Sequence, residues 1–214
     1  MRKIASILLS VLLISSLAAC GNQNSANTEN PVSSGANKIE VTEDSPTVPT
    51  SDNSALVVFY SATGSTKAVA ETIAQTLDAD IFEITPEEPY TDEDLNWNNA
   101  DSRVSIEHNN ESKREIPLTD TMPNDWETYD TVYIGYPIWW GIAAWLVNEF
   151  IEANDFTDKT VIPFCTSASS GLGDSSKLLA DIAGTGNWLE GKRFSSNAGE
   201  EEITEWINDL DSNQ

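Results

Sequence analysis

Residues 57–70 read Val-Val-Phe-Tyr-Ser-Ala-Thr-Gly-Ser-Thr-Lys-Ala-Val-Ala, and no other segment restricts the fold as much. Strand-forming residues run into a turn of hydroxyls and glycine. Val69, Ile73 and Leu77 then recur at helical spacing, with Ala70 and Ala74 beside them. Within the turn, Ser61, Ala62, Thr63, Gly64, Ser65 and Thr66 combine many donors with little bulk. A helix N-terminus adds free N–H groups and a positive dipole end, which suits a phosphate held without a neighbouring cation. The plainer alternative is a helix start at which Ser and Thr act only as caps.

The pattern repeats along the chain. Strands are expected at Ala55–Tyr60, Asp80–Ile84, Thr131–Tyr136 and Thr160–Cys165, with a short one at Arg193–Ser195. Helices are expected at Ser65–Leu77, within 92–109, at Ala143–Ala153 and at Asp174–Ile182. Ile203, Trp206, Ile207 and Leu210 trace a terminal helix. Thr131–Tyr136 is nearly apolar throughout, as a strand covered on both faces should be. Pro163 fits the fourth strand only if its missing donor falls at an irregular or unpaired position. Residues 110–126 give no pattern. Alternating strands and helices imply a parallel sheet with helices on both faces, whose ligands lie at the carboxyl ends of the strands.

Two further loops follow strong strands. Pro137, Ile138, Trp139, Trp140 and Gly141 leave the third strand. Two adjacent tryptophans at a strand end do not both point into a core, and an indole face at the rim stacks well on a flat ring. Packing of both against the next helix is the alternative. After the fourth strand come Thr166, Ser167, Ala168, Ser169, Ser170, Gly171, Leu172 and Gly173. This loop has few bulky side chains, and its backbone N–H groups can wrap the polar edge of a ring system, or it is an ordinary surface loop leading into a helix.

Val57–Ala70 resembles the flavodoxin signature at each constrained position, and Tyr136-Pro137-Ile138-Trp139-Trp140-Gly141 is similar to the ring-side loop of flavodoxin-like proteins. The resemblance runs from Leu56 to about Leu210. It implies an α/β three-layer sandwich with a five-stranded parallel sheet in the order 2-1-3-4-5 and helices on both faces. It also implies flavin mononucleotide (FMN) as cofactor. Ser61–Thr66 would take the phosphate, Pro137–Gly141 would flank the ring with Trp139 or Trp140, and Thr166, Ser167, Ala168, Gly171 and Gly173 would line its pyrimidine edge. The long segment between the second and third strands, 91–126, is similar to that of the longer flavodoxin-like group. Arg103 and nearby acids in it are either ligand contacts or solvated surface.

The N-terminus reads as an address. Arg2 and Lys3 precede an apolar run, Ile4–Leu17, too short for a comfortable membrane span. Leu17-Ala18-Ala19-Cys20 resembles a bacterial lipobox, which implies a signal peptide at 1–19 and a lipidated Cys20. Residues 20–53, mostly Asn, Ser, Thr, Pro and Glu, read as a disordered tether reaching roughly 30 Å. The domain is then 54–214. Without the signal, 9 basic residues face 35 acidic ones, a net charge of −26, from the chain's 11 and 35 less Arg2 and Lys3. Such a surface disfavours nucleic acid and anionic lipid and favours partners with basic surfaces, which for a flavodoxin-like chain would be its redox donor and acceptor, or it simply keeps an exported protein soluble. It is also expected to disfavour an anionic reduced flavin and so lower its potential. His108 stands alone in a polar stretch and Cys165 is the one thiol besides Cys20, so neither metal hydrolysis nor triad chemistry is suggested.

Three functions remain open at this stage: a tethered FMN electron carrier, an NAD(P)H-dependent FMN reductase of quinone, nitro or azo compounds, and a non-redox binding lipoprotein. No G-x-G-x-x-G follows a strand to supply a dinucleotide site.

Overall fold

In the computed structural model, residues 54–212 are described. The expected signal at 1–19, the expected lipidation site Cys20 and the whole of the expected tether at 20–53 therefore lie outside the described residues. Five parallel positions form the sheet. β1 (Ala55–Phe59) lies between β2 (Asp80–Glu83) and β3 (Thr131–Trp139), and β5 (Thr160–Ser167) pairs with β3 on the far side. The last position is split between β6 (Asn187–Trp188) and β7 (Lys192–Ser195), both parallel to β5. The expected 2-1-3-4-5 order holds in space, but the sheet has seven strands rather than five. The extra pieces are the split edge and β4 (Ile142–Ala143), which folds back antiparallel on β3.

Pro163 explains the split. The Val161 carbonyl accepts from Leu189 N–H at 2.9 Å, so residue 161, and two residues on Pro163, face the last sheet position. β6 stops pairing at Val161↔Trp188 and β7 begins at Phe164↔Lys192. The missing donor of Pro163 therefore faces the break, where no ladder bond is needed.

Side chains alternate about the sheet and feed two cores. Val57, Phe59, Tyr133, Ile162 and Phe164 pack under α1 (Ser65–Leu77) and α5 (Glu200–Ser212), against Val69, Ile73, Ile203 and Ile207. Leu56, Val58, Val132, Ile134 and Val161 face α3 (Leu146–Ala153) and α4 (Ser175–Ala183), against Leu146, Phe150 and Leu179. α1 keeps its expected bounds. The helix expected at Ala143 starts instead at Leu146, because Ile142 and Ala143 are taken into β4.

Of the helix expected within 92–109, only Arg103–Asn109 forms (α2), with the Ser102 hydroxyl accepting from Ser105 N–H at its start. Residues 84–129 cover the second core by bringing Ile84, Ile116, Leu118, Trp126 and Tyr129 to it, tied by one bridge, Pro86↔Leu118. No helix among the described residues is long and apolar enough to cross a membrane.

Candidate functional site

The three loops converge at the carboxyl ends of β1, β3 and β5. The first begins at Tyr60, whose phenol is kept protonated by burial. The Ser61 hydroxyl accepts from Gly64 N–H at 3.1 Å and closes the turn on itself. Gly64 sits at φ +91, a conformation open to glycine at little cost, and accepts the first helical bond, from Ala68 N–H at 3.0 Å. The N–H groups of Ala62, Thr63, Ser65, Thr66 and Lys67 have no acceptor among the described residues. Five donors at the start of a thirteen-residue helix form a nest for an anion. Gly64 N–H is spent internally. Thr66 is buried, and its hydroxyl shares a 2.8 Å hydrogen bond with that of Thr166, which ties the first loop to the third.

The second loop is a hairpin, which the sequence reading did not foresee. Ile138 pairs with Ala143 and Trp139 with Ile142, leaving Trp140 and Gly141 as the two turn residues, at φ +47 and +88. Positive φ at both positions marks the type I′ family of turns, and for tryptophan it is a strained choice. Trp139 is half-buried inside an aromatic box: Tyr60 at 5.8 Å, Tyr90 at 5.4 Å and Trp145 at 4.7 Å all meet it edge-on. Trp140 remains 43% exposed and stacks on His108 at 4.2 Å and 8°.

A carboxylate missed from the sequence anchors this box. Glu107 is buried and accepts from Arg103 Nε at 2.8 Å, Tyr90 Oη at 2.7 Å and Trp145 Nε1 at 2.9 Å. Arg103 is thus neither a ligand contact nor solvated surface. It belongs to the wall, its guanidinium 4.0 Å from the Tyr90 ring centre. Nothing in the spacing of Arg103 and Glu107 separates them from a surface i,i+4 pair; only the tertiary partners Tyr90 and Trp145 do. His108 likewise gives no local signal for its stack.

In the third loop the carbonyls of Ser167, Ala168, Ser170 and Leu172 are occupied, while several N–H groups are not. Arg193, on β7, donates Nε to Ser167 Oγ at 3.0 Å and Nη2 to the carbonyls of Ser167 and Ala168 at 2.7 and 3.2 Å. Ser167 Oγ donates to the Ser170 carbonyl, and Ser175 Oγ to that of Leu172 at 2.6 Å. The N–H groups of Ala168, Ser169, Ser170 and Gly171 have no acceptor among the described residues. Cys165, just before the loop, is fully buried, and burial pushes its thiol up to about 12, so it is core rather than redox-active.

Together the loops enclose a crevice of about 580 Å³. Ala62, Thr63, Ser65, Pro137, Ile138, Trp139, Trp140, Thr166, Ser167 and Ala168 line it, all expected from the sequence. Ser61, Gly64 and Thr66 build the floor of the first loop rather than the wall, and Gly141, Gly171 and Gly173 shape the turns. Leu95, Trp97, Val104 and Ser196 also line the crevice and were not anticipated. The first three come from 92–109, where a helix is expected, and Trp97 is 68% exposed at the rim. No group of His, Cys, Asp and Glu among the described residues is arranged to hold a metal ion. The donor set fits a ligand with an anionic end, a flat aromatic body and an acceptor-rich edge.

Comparison with known proteins agrees with that geometry. A family model described as flavodoxin matches residues 54–210. The chain is 40% identical to a candidate flavoprotein from Bacteroides uniformis, covering 73% of this chain and 98% of that one, with a TM-score of 0.67. A candidate flavoprotein from Bacteroides eggerthii is 38% identical over 73% of this chain and 97% of its own, with a TM-score of 0.66. A flavoprotein from Lactobacillus acidophilus, solved in complex with FMN, shares the fold at 24% identity and a TM-score of 0.53, over 72% of this chain and 99% of that one. No curated protein matches the chain.

Proposed function

Because the chain belongs to the flavodoxin family, we propose that it holds FMN in this crevice and passes electrons through it, outside the membrane and tethered by a lipid on Cys20. One observation carries the reading. The first and third loops both leave runs of N–H groups unpaired, while the hydroxyls of Ser61, Thr66 and Ser167 and the carbonyls of Ser167, Ala168 and Ser170 are committed elsewhere. Such a site rewards a ligand that brings acceptors at both ends. The N–H groups of Ala62, Thr63, Ser65, Thr66 and Lys67 would hold the phosphate. Trp139 and Trp140 would flank the ring, and Ala168–Gly171 would donate to its polar edge. Bound FMN supplies one- and two-electron chemistry; the protein contributes binding, orientation and the local field. The crystal structure of a flavoprotein of this fold from Lactobacillus acidophilus in complex with FMN supports the choice of ligand.

The purified protein should be yellow or become so on mixing with FMN, with quenched flavin fluorescence. A colourless protein that leaves FMN emission unchanged would refute the reading and favour a non-redox binding module. The tether is tested separately. Cys20→Ser should move the protein from the membrane fraction to the soluble one.

One observation favours a second reading, reduction of a small quinone, nitro or azo compound at the expense of NAD(P)H. Leu95, Trp97 and Val104 add an apolar wall beyond the three loops, where a flat second substrate finds cover. Bleaching of the bound flavin by NADH alone supports that enzyme; bleaching only through a protein reductase supports the carrier.

A further inference from the structure

Arg193 is the cation whose hydrogen bonds go to the third loop. Lys67, Arg103, Arg114 and Lys177 each pair with a carboxylate, whereas no ion pair among the described residues involves Arg193. In a chain with 35 acidic residues, this half-buried guanidinium instead spends its hydrogen bonds on neutral oxygens of one loop. β5–β7 pairing fixes its place, since Arg193 lies in register with Cys165, the residue before that loop.

The consequence is a loop in which donors outnumber acceptors. Arg193 occupies the carbonyls of Ser167 and Ala168, and through Ser167 Oγ it also holds the hydroxyl that occupies the Ser170 carbonyl. Over residues 167–171 three carbonyls are taken while four N–H groups stay unpaired among the described residues, so the stretch presents more donors than acceptors. Ser167 and Ala168 line the crevice, so this donor edge borders the place where the ring would lie. The positive charge directly behind it is close enough to act through protein rather than through bulk water, where interactions are several-fold stronger than across solvent.

We propose that Arg193 is the positioning residue of the third loop, fixing it as a donor-rich edge for the flavin, and that its unneutralised charge raises the reduction potential of the bound flavin. The inference rests on FMN occupying the crevice. The two roles separate by chemistry. Lysine keeps the charge but lacks the planar fork needed to hold Ser167 and Ala168 together, and glutamine lacks the charge as well.

The test measures FMN dissociation constants and midpoint potentials of the bound flavin for the full-length wild type, Arg193→Lys and Arg193→Gln. Both variants should bind oxidised FMN about tenfold more weakly than wild type. Arg193→Gln should in addition bind reduced FMN a further tenfold more weakly, lowering the two-electron potential by about 30 mV, while Arg193→Lys keeps the wild-type potential. Wild-type affinity in both variants overturns the positioning role, and an unshifted potential in Arg193→Gln overturns the charge role. Should Arg193→Gln fail to fold, Ser167→Ala takes its place in the positioning test. It removes the Nε acceptor and the tie to Ser170 but leaves the charge, so binding must weaken at constant potential. A wild-type protein that binds no FMN overturns the functional reading itself, which is a different result from unchanged variants of a protein that does.

Discussion

Gly64 allows the phosphate assignment to be tested with charge and strain separated. Its φ of +91 costs an L-residue about 1–2 kcal/mol, and a Cβ added there meets nothing within 4 Å. Gly64→Ala and Gly64→Asp should therefore each lose about 1–2 kcal/mol of stability with no clash. Aspartate at a helix start is otherwise favourable, so the Asp variant should be no less stable than the Ala variant. Binding should order them differently. A carboxylate roughly 6 Å from a single phosphate charge, at an effective dielectric constant of about 20, costs about 2.8 kcal/mol, or about 100-fold in Kd. Fluorescence titration with FMN at low salt gives the two constants, and urea unfolding gives the two stabilities. Gly64→Ala should stay within a few-fold of wild type while Gly64→Asp falls about 100-fold below it. Equal affinities for the two variants would place the phosphate elsewhere and refute the nest.

Trp140→Ala should weaken FMN binding by about 1–3 kcal/mol with little loss of stability, since Trp140 is partly exposed, whereas Trp139→Ala should lower both, because it empties a box of three aromatic rings. Titration and urea unfolding of the pair check this, and an unchanged Trp139→Ala fold would contradict the box. Glu107→Ala strands three donors, one of them a guanidinium, and should cost about 3 kcal/mol in urea unfolding, while a loss under 1 kcal/mol would mean solvent replaces the carboxylate freely. Burial holds the Cys165 thiol neutral up to about 12 against an ordinary 9.0, so this group's contribution to stability is complete below pH 9 and is lost as pH rises from there to 12. The urea midpoint should fall with pH over that window, less steeply in Cys165→Ser, and the folded thiol should resist alkylation at pH 8.

The parts legible in the sequence are those where local chemistry and tertiary role coincide. α1 could be bounded to the residue because Gly64 opens it and Val69, Ile73 and Leu77 stripe it. The convergence of the three loops follows from strand order alone. Reading failed where a residue takes its meaning from a distant partner. Trp140-Gly141 looks like a flexible loop until Ile138 and Trp139 find Ala143 and Ile142, and then the turn shortens α3 by three residues. Leu95, Trp97 and Val104 have no periodicity because no single face of a helix holds them; turns around Thr91–Asn99 and the short α2 bring them to the rim. Arg193 was visible only as part of a faint strand, since its acceptors lie more than twenty residues away in the chain.

The charge of the whole molecule and the chemistry of the crevice pull in opposite directions, and this bears on how the site selects its ligand. A net charge of −24 repels a phosphorylated ligand at long range, so the surface gives no steering toward the site. Long-range repulsion is screened within about 8 Å at physiological salt, whereas hydrogen bonds from unpaired N–H groups act only on contact. Affinity must therefore be local, built from the first-loop nest, the indole faces and the donor edge held by Arg193. A simple anion satisfies only the first of these and still meets the repulsion. A ligand carrying phosphate, flat ring and acceptor edge satisfies all three, so the acidic surface sharpens the selection that the loops make.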